Sequence, residues 1–600
     1  MFALCVMTAA MNKKNDGESI LRRMFQRCVF HNYLGAMTLM INTAADGLII
    51  SHFLGAQATA AFGLIFPVYS LISFFPSLLR TAAQVNLGKT IGRGDLDSAN
   101  RCVFSLLAFG LAAALPFVLL LTHFRGHALK ILCIQAYYPE AILSLASDYL
   151  LWLAPAVFPL MLCSVLHPIM QMGGDAARSP RAIQTAAVVN LSGDMMNALL
   201  FHGGMAGMAL ATTLSCYCEL FVLLLHFRSQ RAILHPSAGG GLSLKQLMLL
   251  SEGIPPMLRD VSAFLSGILI NRLASGLGGE NAVAVLAVGS SVWVFLLPAS
   301  IAVSGACTTL GSVSFGEADS HAFQTVFLQG IWYCFLPCAA YSLVFVAAAK
   351  PLALFCSGGG TQMMSAALPY LRILALSLPF VCFCQTIEAQ LNVLGKTRRS
   401  ALLSIADGGP LVLAASWMLS RFMGLNGLWL GRFVGSIALS LLALLFVFRL
   451  FFSRGGKWNL LSQSFVTNPD AFLESTVATE EEVTAFSELL RTSFMKKGVS
   501  PRNCTVAALC VEELACNTLR WGYGTGENNR VDIRAVYRGG EVIVRLRDSG
   551  IPFNPEQYVR QFQTEVQNPS KNVGLRIVTG CAADMRYIPL ADCNVVILRI

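Results

Sequence analysis

Between about residues 29 and 451 the chain is a succession of apolar runs separated by short polar connections, whereas from 461 to 600 charged and apolar residues alternate over a few positions at a time. A helix needs about 20 mostly apolar residues to cross roughly 30 Å of hydrocarbon. Twelve stretches meet that length, near 29–51, 58–86, 102–123, 147–170, 182–201, 204–226, 249–273, 281–310, 324–348, 368–391, 399–420 and 425–451. Lipid offers no partners to backbone amides and the runs are too long for barrel strands, so the pattern predicts helices. Residues 461–600 predict a separate α+β unit, with helices near 479–495, 501–520 and 572–584 and strands near 529–536, 541–547 and 593–599. The fold class expected is an all-α polytopic bundle followed by a soluble α+β domain. Its expected division is an N-terminal segment at 1–28, six spans over 29–226, a linker at 227–248, six spans over 249–452 and the soluble domain at 461–600.

Composition agrees: 55% of residues are hydrophobic and only 13% charged, against about 25% charged in soluble domains. The net charge of +10 belongs to the apolar part, because the soluble part is nearly balanced. Basic residues gather before span 1 (Arg22, Arg23, Arg27), between spans 2 and 3 (Lys89, Arg93, Arg101), 4 and 5 (Arg178, Arg181), 6 and 7 (Arg228, Arg231, Lys245), and 10 and 11 (Lys396, Arg398, Arg399). The alternate connections are nearly bare, so the positive-inside rule puts both termini in the cytoplasm, with the chain multi-pass in the plasma membrane. Loop topology accounts for the charge and no nucleic-acid partner is expected. Met1–Ala10 is apolar but has its basic residues after it, the reverse of a cleaved leader, and Met11 is an alternative start. The 18 cysteines are scattered without zinc spacing or a disulfide framework, as buried small hydrophobes are.

The apolar part repeats itself. Leu54-Gly55-Ala56 lines up with Leu277-Gly278-Gly279, and Gly88 with Gly311. Gly92 and Asp95 fall on Gly316 and Asp319 with one residue inserted, Tyr149-Leu150 on Tyr370-Leu371, and Gly174 on Gly395. A register held that long predicts two six-helix lobes of one orientation, with a cavity between them that opens to either side in turn.

Ala45-Asp46-Gly47-Leu48-Ile49-Ile50-Ser51-His52-Phe53-Leu54-Gly55, the turn Gly92-Arg93-Gly94-Asp95, Asn190 with Asp194, and Gly204-Met205-Ala206-Gly207 running to Ala211-Thr212 together resemble the multidrug and toxic compound extrusion (MATE) family. The resemblance covers about 20–450 and implies a V-shaped twelve-helix fold that exports small organic or cationic compounds against Na⁺ or H⁺. Lipid-linked precursor flippases of the same superfamily stay open as an alternative.

An ionisable residue inside a span is costly and marks function unless it is paired or near an end. Asp46 lies in span 1, and Asp194 follows Asn190 by four residues on one face of span 5. Two carboxylates converging in a dry bundle take up a proton or jointly ligate sodium with amide and hydroxyl oxygens. The resemblance carries the cation site onto Asp46, Asn190, Asp194 and Thr212. The alternative reading places Asp46 too near the outer end to be dry and has Asp194 merely bonding a neighbour. Glu388, Asp407 and Arg432 form a second-lobe polar group that either pairs internally or faces the substrate, and Arg259-Asp260 is expected near an interface. Phe62, Phe66 and Phe75 either line a pocket or pack.

Three constellations mark the soluble part: Glu512-Glu513 with Asn517 on one helix, Asp548-Ser-Gly550-Ile-Pro-Phe553 after a strand, and Gly574-Leu-Arg-Ile-Val578 opening a helix. Glu513 and Asn517 share a helical face able to meet one hydrated magnesium. Asp548 suits an adenine amino group, Gly550 admits close backbone approach, and the helix after Gly574 offers amides to phosphate. The trio looks like the GHKL-type ATPase fold of histidine kinases and gyrase, most closely the anti-sigma-factor serine kinase branch, over about 500–600. That resemblance implies Glu513 as the catalytic or water-positioning carboxylate, Asn517 as the ligand of the Mg-ATP metal, and Asp548, Gly550 and Gly574 as ATP-binding residues. Asn572 stands where the family has a further glycine, and the lid at 554–571 is short, which sets turnover in doubt more than binding. No Walker P-loop occurs, so ATP is not expected to power transport. Two functions follow as expectations: an ion-coupled exporter whose ATP-binding tail regulates or signals, or a receptor whose bundle binds a ligand without moving it and whose tail acts as a serine/threonine kinase or as a switch that binds a protein target or an anti-anti-sigma-like partner. Kinase or ATPase activity is the enzyme chemistry open to the tail in either case.

Overall fold

The computed structural model describes residues 20–132, 139–229, 232–237, 244–356, 361–452, 472–523, 529–538, 540–555, 557–559, 573–590 and 593–600. The apolar part folds into α1 (Ile20–Ile49), α2 (Gly55–Gly92), α3 (Leu96–Thr122), α4 (Glu140–Met172), α5 (Arg178–Met196) and α6 (Gly204–Leu224). The second lobe has α7 and α8 as the two arms of Ile254–Gly316, then α9 (Ser320–Ala347), α10 (Ala367–Val393), α11 (Thr397–Met423) and α12 (Leu425–Phe452). Nine described helical stretches are long and apolar enough to cross a membrane. Helix α5 is not among them, because it carries Arg178, Arg181, Asn190 and Asp194. The α7–α8 corner bends at Gly278 and Gly279, the latter at φ 60°, a conformation open to glycine.

The internal repeat is a repeat of turns. Gly94 (φ 72°) ends the first-lobe turn and Asp95 caps α3 by accepting from Ser98 N at 2.9 Å. Ala318 (φ 55°) does the same in the second lobe, and Asp319 caps α9 by accepting from Ala322 N at 2.9 Å. Gly174 and Gly395 share positive φ after α4 and α10. At the opposite end the matching left-handed residues are Gly55 and Gly279, one residue later than the sequence alignment on Gly278.

The lobes meet at the end that carries these Asp-capped turns. A Cβ on Gly88 would lie 1.9 Å from Ser312 Oγ and one on Gly92 would lie 2.2 Å from the Val313 carbonyl, so only glycine permits this approach. Ser312 Oγ donates to Gln84 O at 3.1 Å, Asn86 Nδ2 to Leu249 O at 2.9 Å, and Lys89 Nζ pairs with Glu252 at 3.1 Å. These contacts form a floor, above which a cavity of about 460 Å³ lies between the lobes.

The soluble domain holds β1 (Phe472–Val477), α13 (Glu480–Lys496), α14 (Pro501–Trp521), β2 (Val531–Arg538), β3 (Glu541–Asp548), α15 (Val573–Cys581), β4 (Asp584–Leu590) and β5 (Cys593–Arg599). Its five-stranded sheet has the order β1-β2-β3-β5-β4, with every neighbouring pair antiparallel. The sequence reading lacked both edge strands. The helix expected over 572–584 ends at Cys581, because Asp584–Leu590 alternates inward and outward as an edge strand with Pro589 near its end. Most of the lid at 554–571 lies outside the described residues, as does Asn572.

Period-two alternation gives the sheet two different faces. Val531, Ile533, Val542, Val544, Leu546, Met585, Tyr587, Val596 and Leu598 share a core with α13, α14 and α15. Ile588, Leu590, Cys593, Val595 and Ile597 point the other way and join the core of the helical bundle.

Candidate functional site

In the first lobe, α1 and α5 bring the three predicted polar residues together. Asn190 Nδ2 donates to Asp46 Oδ1 at 2.6 Å and to Asp194 Oδ2 at 3.1 Å. Asn190 and Asp194 are 0% exposed, and Asp46 is partly buried. Asn190 Oδ1 and Asp194 Oδ1 are buried with no hydrogen-bond partner among the described residues. Such atoms are costly to leave bare, and oxygens so placed could accept a proton or ligate a cation. Thr212 lies on α6 with its hydroxyl donating to Met208 O at 3.2 Å, and it also contacts the Tyr149 hydroxyl.

Of the two alternatives for the second-lobe group, internal pairing is not seen: no ion pair or hydrogen bond joins Glu388, Asp407 and Arg432 to one another among the described residues, and Glu388 faces the cavity. Glu388 meets Arg259 Nη1 at 3.5 Å. Asp407 accepts from Gln385 Nε2 at 3.0 Å, and Gln385 Oε1 accepts from Ser300 Oγ at 2.6 Å. Arg432 instead stacks on Trp293, its guanidinium carbon 4.4 Å from the ring centre. Arg259 and Glu388 both line the inter-lobe cavity, and Arg432 and Asp407 do not.

Sequence reasoning missed several charged or titratable cavity residues, among them Arg80, His167 and Glu219. His167 lies between Ser179 Oγ (2.9 Å) and Glu219 Oε1 (2.8 Å). Each breaks an apolar run, and that interruption was the available signal. Phe62 packs edge-on against Tyr149 and Phe75 against Phe117, and neither lines the cavity. Of Phe66 the side chain lies outside the described residues.

In the soluble domain, α14, α15 and the end of β3 converge. A Cβ on Gly574 would fall 1.8 Å from Glu513 Oε2, so the glycine-led start of α15 rests directly on that carboxylate. The side chains of Glu513 and Asn517 make no hydrogen bond among the described residues, whereas Glu512 turns away to accept from Ser487 Oγ at 2.7 Å. Asp548 Oδ1 accepts from Gly550 N at 2.9 Å and from Asn594 Nδ2 at 2.7 Å. Burial lifts the Asp548 carboxyl above its ordinary pKa, and these two donors pull it partly back. Both bonds fall on Oδ1, which leaves Oδ2 able to accept from an amino group. Gly550 has a structural reason for being glycine beyond ligand access: a Cβ there would lie 2.1 Å from Gly522 O. Asn594, on β5, is the site residue the sequence reading did not single out.

Comparison with known proteins fits this geometry. The MatE family model matches residues 34–196 and 255–418, one match per lobe, and the histidine kinase-like ATPase domain model matches 476–600. The chain is 21% identical over 410 residues to the probable multidrug resistance protein YoeA of Bacillus subtilis (strain 168), covering 66% of this chain and 86% of that protein. It is 31% identical over 180 residues to the FAD transporter of Shewanella oneidensis, which is 29% of this chain and 36% of that protein. A solved MOP superfamily transporter from Pyrococcus furiosus shares the fold at a TM-score of 0.67 and 21% identity, over 71% of this chain and 95% of the other. Two matching lobes around a common cavity, with the ATPase-like match confined to the C-terminal sheet and helices, establish that this chain is a membrane protein of the MatE family carrying a C-terminal histidine kinase-like ATPase domain.

Proposed function

We propose that the bundle is an ion-coupled exporter of small organic compounds, driven by Na⁺ or H⁺ entering at Asp46, Asn190 and Asp194, and that its tail binds Mg-ATP and regulates it. The observation that carries the coupling site is the single Asn190 amide shared by two carboxylates, with buried oxygens of Asn190 and Asp194 left unpartnered. Two acids held this close in a low-dielectric interior resist being ionised together, so the site is receptive to one cation. A sodium ion would draw on carboxylate and amide oxygens, with the Asn190 amide turned over. A proton would need no such turn. Uptake changes the charge between α1 and α5, two helices of one lobe, and so biases how that lobe packs.

The cavity beside it carries both signs of charge, with Arg80 and Arg259 facing Glu219, Asp260 and Glu388. Its floor is tied shut toward the soluble domain, so the substrate path in this state leads the other way. With the positive-inside assignment of both termini to the cytoplasm, that direction is outward, as export requires. In the tail, Glu513 and Asn517 would hold hydrated magnesium, Asp548 the adenine amino group and the start of α15 the phosphates. The magnesium would neutralise phosphate charge there.

Efflux of a fluorescent cationic dye from vesicles under an imposed Na⁺ or H⁺ gradient tests the reading. Replacing Asp46 by Asn should abolish gradient-driven efflux, a loss of at least about tenfold, with the protein still folded. Undiminished efflux from that variant would remove the coupling site, and a wild-type bundle that binds dye without moving it would favour the receptor reading.

A further inference from the structure

Arginines on the outer face of the soluble sheet reach into the bundle. Arg545 Nη1 lies 2.7 Å from Asp319 Oδ2 and 2.8 Å from Glu317 Oε2, Arg534 Nη1 lies 2.6 Å from Asp319 Oδ1, and Arg547 also pairs with Glu317. Arg534, Arg545 and Arg547 are 3%, 5% and 2% exposed and Asp319 is 0% exposed. Asp532 joins from β2, 3.3 Å from Arg545, and Glu474 from β1, 3.4 Å from Arg534. A network this dry is not a surface decoration, since removing one partner from a buried pair strands the other in low dielectric.

The same sheet also touches the first lobe. Arg599 Nη2 donates to Arg93 O at 2.7 Å. Pro589 of β4 lies against Gly174 so closely that a Cβ there would come within 2.2 Å of it. Ile588, Leu590, Val595 and Ile597 fill the apolar space between. Glu317 and Asp319 belong to the second-lobe turn, and Arg93 to its first-lobe counterpart. The domain therefore spans the two pseudo-equivalent turns that meet at Gly92 and Gly316.

We propose that the ATPase-like domain is an intramolecular clamp: docked across both lobes, it holds the floor of the cavity shut and must let go of one lobe before the floor opens. Rocking of the lobes to expose the cavity on this side separates the turns at Arg93 and Glu317. One rigid sheet cannot follow both. One of the proposed nucleotide residues lies on the same strand: Asp548 follows Arg547 at the end of β3, and the next residue, Ser549, accepts at Oγ from Arg23 of α1 at 3.5 Å. A ligand at Asp548 thus acts within one peptide bond of the clamp. The clamp's effect on export rests on the transport reading above, but the docking and the floor closure do not.

The test uses the full chain with a protease site inserted in 453–471 and cut after folding. The wild-type tail should stay with the bundle in gel filtration, while Glu317→Gln and Arg545→Gln should weaken its retention on the order of 100-fold. Glu317→Gln leaves the tail sequence untouched, so a misfolded tail cannot explain its loss. In the uncut chain, hydrogen exchange at 84–92 and 309–316 should be several-fold faster in Glu317→Gln than in wild type. A wild-type tail that elutes alone, or a Glu317→Gln chain that keeps its tail as tightly, overturns the docking. A released tail with unchanged exchange at the floor overturns the clamp. Loss of dye efflux in every version, with these two results as expected, overturns the transport reading instead.

Discussion

Gly574 shows how one residue type follows from one contact. Its α-hydrogen faces Glu513 Oε2, where a methyl group would stand 1.8 Å away. Gly574→Ala must displace either the carboxylate or the start of α15, and Mg-ATP binding by the full chain should fall by at least about tenfold, near 1.4 kcal/mol. Asn517→Ala should weaken Mg-ATP binding to a similar degree without moving α15, because the Asn517 side chain makes no hydrogen bond among the described residues. Equal binding by wild type and both variants, read by isothermal titration, would remove the nucleotide site from α14. At this scale the sequence was legible where spacing alone sets proximity: Glu513 and Asn517 share a face because they are four apart on a helix. It was not legible for Arg432, whose partner Trp293 lies on α8 and was not among the acids its charge suggested.

At the scale of elements, β3 divides its labour by alternation. Val542, Val544 and Leu546 serve the helical core, while Arg545 and Arg547 serve the bundle. The salt network fixes the pH behaviour of that docking. Burial by itself would raise the Asp319 carboxyl, but Arg545, Arg534 and Arg547 hold it well below the usual range. An undocked Asp319 returns toward about 3.9. A depressed carboxylate stabilises the docked form fully above its undocked value, and that stabilisation is lost as pH falls through about 4 toward the docked value. Retention of the cut tail should therefore be flat between about pH 5 and 8 and weaken below about 4. A tail that dissociates on going from pH 8 to 6 would show that another group governs the contact. The strand itself was predicted from its alternation, but nothing in the alternation says that the arginine-bearing face is covered.

On the scale of the molecule, the floor depends on backbone meeting backbone. Gly92→Val places a branched side chain where even a Cβ is 2.2 Å from the Val313 carbonyl. Overpacking of this kind costs about 1–3 kcal/mol, here charged to the closed state alone. Exchange at 309–316 should quicken and gradient-driven efflux should drop, whereas a floor as protected as in wild type would place the lobe contact elsewhere. The chain's own pattern determined the apolar spans, their repetition in two lobes and the separate soluble domain, because periodicity and hydrophobicity are properties of neighbours along the backbone. It also marked Asp46, Asn190 and Asp194, since a polar residue in an apolar run stands out wherever its partners are. Only the tertiary structure decided that Asn190 bridges the two acids, that Arg259 and not Arg432 answers Glu388, and that the sheet straddles both lobes. Those are pairings between residues far apart in the chain, and a charge declares its need for a partner without saying which one folding will supply.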